Sequence, residues 1–187
     1  MPNASSVIPC ETLAHDKVPA IRRFGSDDSS TPVSDDVLSI IPTDPHWQPA
    51  RDAAERAAAI MADLAPGEPG GMDAEVDATW HDNVAVVACG ANLERIGCPH
   101  CGASIDIEWW QDLLDAYFDE GFANLAVKTP CCGADSSLNA LEYDWPCGFA
   151  RFEIAVWNPQ RAWFSDEELA VLGAALGHPV RQIRAHI

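Results

Sequence analysis

Apolar residues recur along the chain at two spacings, one typical of helices and one typical of strands. Intervals of three and four residues run from Pro49 to Leu64 and over the segment that follows Ser165, and they predict helices packed by one face. Alternating or wholly apolar runs predict strands or extended segments at 37–41, 76–89, 125–129, 137–143, 149–157 and 179–187. The pattern as a whole predicts an α+β fold with a small antiparallel sheet.

Two of these regions have the form of a β-hairpin. His81-Asp82-Asn83 interrupts the run 76–89 with polar residues and predicts a turn inside it. The turn-forming residues 144–148 separate the alternating runs on either side, so we expect those two runs to pair antiparallel. Arg151 on the second run should then form a cross-strand pair with Glu142 on the first.

Three helices are predicted, and each has recognisable ends or faces. The alanine-rich segment begins at Pro49 and stops before Pro66. The last helix begins at Ser165, which forms a capping box with Glu168, and it ends at Gly177. Between them lies an amphipathic helix with aromatic and aliphatic residues on one face. Its other face carries four carboxylates, Glu108, Asp112, Asp115 and Asp119.

The N-terminal region lacks both spacings. Residues 1–36 are rich in Pro, Ser and Asp, and we expect them to form a flexible polar arm, followed by a single domain over 37–187. The first residues have neither the basic start nor the apolar stretch of a secretory signal, and no apolar run approaches the ~20 residues of a membrane helix. We therefore expect a cytoplasmic protein without a membrane segment.

Charge narrows the range of partners. The 187 residues include 29 acidic and 11 basic side chains, for a net charge of −18. Binding to a phosphate backbone requires clustered Lys and Arg, so direct binding to DNA or RNA is not expected. Hydrophobic residues make up 48% of the chain, which is typical of a globular protein. A protein partner with a basic surface suits this charge best.

The strongest chemical signal is an interrupted cysteine motif. Cys98-Pro99-His100-Cys101-Gly102 opens it, and Pro130-Cys131-Cys132-Gly133 closes it, and the 29-residue insert between Cys101 and Cys131 contains the acidic helix. Two thiol pairs brought together across such an insert are the usual ligands of a tetrahedral Zn²⁺ site, and zinc is a commoner occupant than iron. Seven cysteines in this arrangement favour a reducing compartment over a disulfide framework. The predicted zinc ligands are Cys98, Cys101, Cys131 and Cys132.

The second half of the motif leaves alternatives open. Thr129 stands where a second Cys-x-x-Cys would begin, and adjacent cysteines reach one ion only if the backbone bends sharply between them. Cys147 or His100 could therefore replace one of the adjacent cysteines. Two other interpretations are buried thiols without a metal, and a vicinal disulfide between Cys131 and Cys132. The strained ring and the acidic surroundings disfavour the disulfide.

Several motifs together resemble a set of bacterial proteins of unassigned function. Cys98-Pro99-x-Cys101-Gly102 is similar to the zinc-ribbon knuckle. The wider similarity covers residues 37–187, and its motifs are Trp109-Trp110, Thr129-Pro130-Cys131-Cys132-Gly133, Ser137-Leu138-Asn139, Tyr143-Asp144-Trp145-Pro146 and Gly148-Phe149-Ala150-Arg151-Phe152. The resemblance implies a zinc-ribbon-like domain in a bacterial cytosolic protein, and it implies no activity.

Two functional hypotheses follow from a cysteine site in an acidic chain. The first is a non-enzymatic interaction module with a structural zinc ion, whose carboxylate helix face would meet a basic partner, as in an inhibitor or immunity protein. The second is a zinc-dependent hydrolase, in which the ion keeps an open coordination position and His100, His81 or Asp82 acts as the base. The chain carries no His-Glu-x-x-His or comparable catalytic motif, which favours the first hypothesis.

Overall fold

The computed structural model describes residues 35–67, 74–87, 90, 92–117 and 121–187. All but the last two residues of the predicted N-terminal arm lie outside these ranges, so the arm stays a prediction. Of those two, Asp36 already belongs to the first strand. The described part has three α-helices and small antiparallel sheets, which confirms the α+β fold class.

The described part of the chain contains three α-helices and nine strands. The helices are α1 (Arg51–Leu64), α2 (Ile107–Tyr117) and α3 (Asp166–Leu176). The strands are β1 (Asp36–Pro42), β2 (Val76–Val87), β3 (Ile96–Gly97), β4 (Ser104–Ile105), β5 (Ala126–Lys128), β6 (Asp135–Ser137), β7 (Glu142–Tyr143), β8 (Gly148–Trp157) and β9 (Val180–His186). None of the described helices is long and apolar enough to cross a membrane.

Four strands form the main sheet, in the order β2-β8-β1-β9, and every neighbouring pair is antiparallel. Helices α1 and α3 pack on one face, because alternate residues of the central strands, such as Leu38 and Ile154, are large and apolar. Ala54 and Ala57 of α1 are completely buried, and their small side chains let the helix lie close to the sheet. This core comprises Leu38, Ile40, Ala54, Ala57, Met61, Ala65, Phe152, Ile154, Val156, Phe164, Leu172 and Leu176.

The predicted hairpin over 76–89 is wrong, because this run forms the single long strand β2. Both halves of β2 pair with β8, and the register shifts between Trp80 and Ala85. The polar residues that predicted a turn lie in this irregularity, where extra residues bulge out of the ladder. His81 uses its carbonyl oxygen there to accept a hydrogen bond from Gln48 Nε2 at 3.0 Å. Residues 88 and 89 lie outside the described ranges.

A second core lies beneath the cysteine motif. The hairpin β3–β4 is extended by β7 into a three-stranded sheet, and β5–β6 forms a hairpin of its own. Helix α2 contributes Trp110, whose Nε1 donates to the Tyr143 hydroxyl at 3.2 Å. Phe149 of β8 joins this core to the main sheet. Its buried members are Val84, Ile96, Cys98, Ile105, Trp110, Phe122, Leu125, Leu138, Leu141, Cys147 and Phe149.

The run 137–143 does not pair with β8 as predicted. Strand β6 ends at Ser137, a 3₁₀ turn covers Leu138–Ala140, and β7 pairs with β3. The expected pair of Arg151 with Glu142 is accordingly wrong, because the Arg151 Nε donates to the carbonyl oxygen of His81 at 3.4 Å. The alternation that suggested a strand reflects two short elements facing the second core.

Helix α3 agrees with the sequence prediction at both of its ends. Ser165 Oγ accepts from the backbone N–H of Glu168 at 3.3 Å, and Glu168 Oε2 accepts from the N–H of Ser165 at 2.7 Å. These bonds form the predicted capping box of α3. Gly177 ends α3 with a φ of 90°, a conformation that favours glycine. Helix α2 is described as far as Tyr117, since residues 118–120 lie outside the described ranges.

Candidate metal centre

Two hairpin loops with the same backbone geometry carry the cysteine motif. In the first loop, the Cys98 N–H donates to Ala103 O at 2.9 Å, and the Gly102 N–H donates to Cys98 O at 2.9 Å. In the second, the equivalent bonds run from Thr129 N–H to Ala134 O at 3.0 Å and from Gly133 N–H to Thr129 O at 2.8 Å. The glycines have φ angles of 70° and 69°, in the left-handed region. Both loops are therefore knuckles of one type.

Superposing these bonds aligns the two loops residue by residue. Cys98-Pro99-His100-Cys101-Gly102-Ala103 corresponds to Thr129-Pro130-Cys131-Cys132-Gly133-Ala134. The loops share Pro, Cys, Gly and Ala at four of six positions, a signal that an alignment of the chain with itself could have found. The correspondence places Thr129 opposite Cys98, and it places Cys131 opposite His100.

The four predicted cysteines lie together, with all of their sulfur atoms within 4.8 Å of one another. Cys98 Sγ lies 3.8 Å from Cys132 Sγ, and Cys101 Sγ lies 3.5 Å from Cys131 Sγ. A tetrahedral Zn²⁺ ion with bonds of about 2.3 Å requires its sulfur ligands to be about 3.8 Å apart. The donor set therefore fits a metal ion of this size, and the assignment of these residues as ligands stays a prediction.

The cluster lies at the surface of the second core. Cys98 is completely buried, whereas Cys101, Cys131 and Cys132 are exposed. One side chain thus anchors the cluster in the apolar interior, and the other three open toward solvent. An ion could enter from the solvent side without a rearrangement of the core.

Ionisation of these thiols depends on their close neighbours. Burial alone would raise the pKa of the Cys98 thiol, but hydrogen bonds from the backbone amides of Cys101 and His100 and with the thiols of Cys131 and Cys101 together lower that pKa to about 6. Desolvation and hydrogen bonds with the thiols of Cys101 and Cys98 raise the pKa of Cys131 to about 12. The thiols of Cys98 and Cys131 therefore do not ionise together unless a cation compensates their charge, and a divalent metal ion would supply that charge.

Thr129 is a further residue of the site, although the sequence did not assign it a role. It is 1% exposed, and its Oγ1 lies 3.2 Å from Cys132 Sγ. This hydroxyl and the backbone amide of Ala134 hold the pKa of the Cys132 thiol below its usual range. Thr129 thus contacts the cluster without belonging to it.

The alternative ligands lie apart from the cluster. Cys147 is buried in the second core, where its sulfur lies 3.9 Å from the carbonyl oxygen of Val87. The His100 Nε2 forms a hydrogen bond with Asp135 O at 3.0 Å. Within the described ranges, the only group that could hold a metal consists of the four cysteines, with no histidine or carboxylate. All five cysteines of those ranges are free thiols, so the vicinal disulfide is absent.

The candidate bases of the hydrolase hypothesis also lie outside the cluster. His81 is on the irregular part of β2, and partial burial lowers its pKa. Asp82 beside it is exposed. His100 is on the first knuckle and exposed, but it is not one of the clustered donors.

The described part of the predicted carboxylate face of α2 is solvent-exposed. Glu108, Asp112 and Asp115 are exposed, and none of the three forms an ion pair with a described residue. Asp119 lies outside the described ranges. The face is therefore a run of carboxylates without neutralising partners among the residues whose positions are described.

No protein-family model, curated protein sequence or solved structure matches this chain. The resemblance to zinc-ribbon-like bacterial proteins rests on sequence motifs alone and stays a prediction. The fold and the site by themselves define an α+β protein with two similar knuckles and a four-cysteine cluster between them.

Proposed function

We propose that this protein is a non-enzymatic interaction module in which the four-cysteine cluster holds a structural Zn²⁺ ion. The observation that carries this proposal is the composition of the cluster, which within the described ranges has four thiols within 4.8 Å and no histidine or carboxylate. Thiolates are soft ligands that favour zinc or iron over hard cations, and zinc is the commoner occupant of such a site. The zinc-ribbon resemblance supports the same choice.

Four thiolates fill a tetrahedral coordination sphere. A catalytic zinc ion instead keeps one position for water and needs a base beside it. The alternative function, a zinc-dependent hydrolase, would require one of the four cysteines to be released from the ion. The donor set therefore supports a structural role over a catalytic one.

The metal would join the two ends of the insert. The knuckle at Cys98 follows β3, and the knuckle at Cys131 follows β5, so one ion ties together two hairpins with α2 between them. Because Cys98 is part of the second core, the ion would also fix the hairpins to that core. Binding free energy of this kind adds directly to folding stability.

The partner that we propose is a protein with a basic surface, met in the bacterial cytoplasm. The net charge of −18 and the unpaired carboxylates of α2 support this choice, because complementary charge accelerates association and favours the correct partner. A basic toxin or nucleic-acid enzyme would be a suitable target, in which case the protein would act as an inhibitor or immunity protein.

Metal content tests the first part of the proposal. Purified protein is analysed by mass spectrometry under non-denaturing conditions, beside single Ser variants of each predicted ligand. Cys147→Ser is the control, since Cys147 lies outside the cluster and, like Cys98, is buried. We expect one zinc ion per chain, lost together with stability in the four ligand variants and retained in the control. A folded protein without metal would contradict the structural role.

Charge neutralisation tests the second part. The triple variant E108Q/D112N/D115N removes the exposed carboxylates of α2, and E55Q/D63N removes exposed carboxylates of α1 as a control. Affinity purification at low salt, followed by mass spectrometry, should recover a basic protein with the wild-type chain and the control but not with the triple variant. Equal recovery with all three would exclude the α2 face as the contact.

A further inference from the structure

The two knuckles differ at the position that begins each of them. Cys98 begins the first and is a predicted ligand, whereas Thr129 begins the second at the corresponding place. The two side chains are almost equally buried, with exposures of 0% and 1%. The remaining cysteine, Cys131, corresponds to the exposed His100 of the first knuckle.

The Thr129 hydroxyl points at the cluster. Its Oγ1 lies 3.2 Å from Cys132 Sγ and 3.3 Å from Ala134 O. The Ala134 oxygen already accepts the Thr129 N–H at 3.0 Å, so it does not depend on the hydroxyl. Once Cys132 is a metal-bound thiolate, it can only accept hydrogen bonds, and the Thr129 hydroxyl is a side-chain donor within reach beside the backbone amide of Ala134.

We propose that Thr129 occupies the first-ligand position of the second knuckle and donates its hydroxyl hydrogen to the Cys132 thiolate. Cys131, two residues further along, supplies the fourth metal bond. This inference rests on the proposed metal function and deepens it. Thr129 is a positioning residue, because it acts on the ion through Cys132. Its place in the knuckle predicts that a cysteine there would reach the ion.

A rescue experiment tests the position. Co²⁺ is titrated into reduced, metal-free protein, since the absorption of thiolate-bound Co²⁺ rises with the number of thiolates. Cys131→Ser should show the spectrum of three thiolates, and T129C/C131S should regain that of four. The matched control is A134C/C131S, which places the same number of cysteines in the same loop at a position that corresponds to Ala103. The control should keep the spectrum of three thiolates.

A second pair of variants tests the hydroxyl. Thr129→Val keeps the shape of the side chain but removes the donor, and Thr129→Ser keeps the donor. Loss of a partner that supports a metal ligand typically weakens metal affinity 10-fold to 100-fold, so we expect Thr129→Val to bind Co²⁺ about 10-fold more weakly. Thr129→Ser should remain close to the wild type. Equal affinities for the two variants would overturn the role of the hydroxyl.

The outcomes separate this inference from the proposed function. A wild-type chain that takes up no Co²⁺ overturns both. A wild-type chain with a four-thiolate spectrum, together with a T129C/C131S variant that stays at three thiolates, overturns only the assignment of Thr129. Circular dichroism of each metal-loaded variant verifies that the compared proteins are folded.

Discussion

Asn139→Ala should destabilise the fold strongly, because one side chain completes the backbone pairing of a buried strand. Strand β1 pairs with β8 only from Ile154 to Trp157, which leaves the start of β8 without a strand neighbour on that side. Asn139 fills the gap, since its Nδ2 donates to Phe149 O at 3.3 Å and its Oδ1 accepts from the Phe149 N–H at 3.2 Å. The same Oδ1 accepts from Arg181 Nη2 at 2.7 Å.

The size of the effect follows from what the alanine would leave unpaired. Phe149 is completely buried, so its N–H and C=O would both lose their partner away from water, at a cost of about 1–3 kcal/mol each. Arg181 keeps its hydrogen bond to Cys147 O at 2.9 Å, so losing its bond to Asn139 costs less than leaving the Phe149 groups unpaired. A water molecule in the space left by the side chain would offset part of the loss. We expect a decrease of about 3 kcal/mol in the free energy of unfolding.

Urea denaturation at neutral pH measures this change. For a chain of this length, about 3 kcal/mol corresponds to a fall of about 6–12 °C in Tm. Asn124→Ala is the matched control, because Asn124 also accepts a backbone N–H with its side chain, at 3.0 Å from Ala126 N, but is exposed. The control should change stability by less than about 1 kcal/mol. Equal effects of the two variants would refute the reasoning about buried unpaired groups.

Three further predictions concern separate features. Ser165→Ala removes the capping hydroxyl of α3 and should cost about 1 kcal/mol in urea denaturation, whereas no change would discount the capping box. Gly148→Ala should cost about 1–3 kcal/mol in the same assay, because its Cβ would lie 2.5 Å from Ile41 Cδ1, and wild-type stability would show that this contact relaxes. Burial raises the pKa of Glu153, because the fold favours the neutral form of this carboxyl group. The contribution of the neutral carboxyl to stability is complete below about pH 4.3 and is lost as the pH rises through the raised pKa. Glu153→Gln should therefore be more stable than the wild type at pH 7 in urea, and a less stable variant would contradict this sign.

Local signals predicted the helices well. The apolar stripe of α1 and the capping residues of α3 lie within a few turns of the elements that they define, so short sequence windows contain the whole signal. The strand at the end of the chain is likewise present as β9. These elements form where their apolar face packs on a core. They can therefore be predicted without knowing which distant residues they contact.

Strand partners could not be predicted in the same way. The polar residues at 81–83 indicated a turn, but β8 is long enough to pair with both sides of them, and the chain continues through a bulge. The run 137–143 alternates as a strand would, yet the second core lies against it and Asn139 replaces a strand neighbour of β8. Pairing of this kind is decided by contacts between residues far apart in sequence, which periodicity does not record.

The cysteine cluster shows both what residue spacing predicts and what it misses. Spacing alone predicted the four cysteines as metal ligands, because thiols followed by glycine in two knuckles have few roles other than metal binding. The position of Thr129 became visible only when the hydrogen bonds of the two loops were compared, since the sequence there lacks the expected cysteine. Cys131 looked irregular for the same reason, although its sulfur lies among the others.

The structure also joins the metal site to the proposed contact face. Helix α2 carries the exposed carboxylates, yet Trp110 is its only buried residue within the described range. Four more of its residues, Ile107, Trp109, Leu113 and Leu114, are partly buried and pack against the second core, which also contains Cys98. The metal would tie the two knuckle hairpins on either side of the helix to this core. Removal of the metal with a chelator should therefore weaken partner binding as much as the triple variant of α2 does, as measured by affinity purification. Unchanged binding by metal-free protein would show that the proposed contact face does not depend on the proposed metal site.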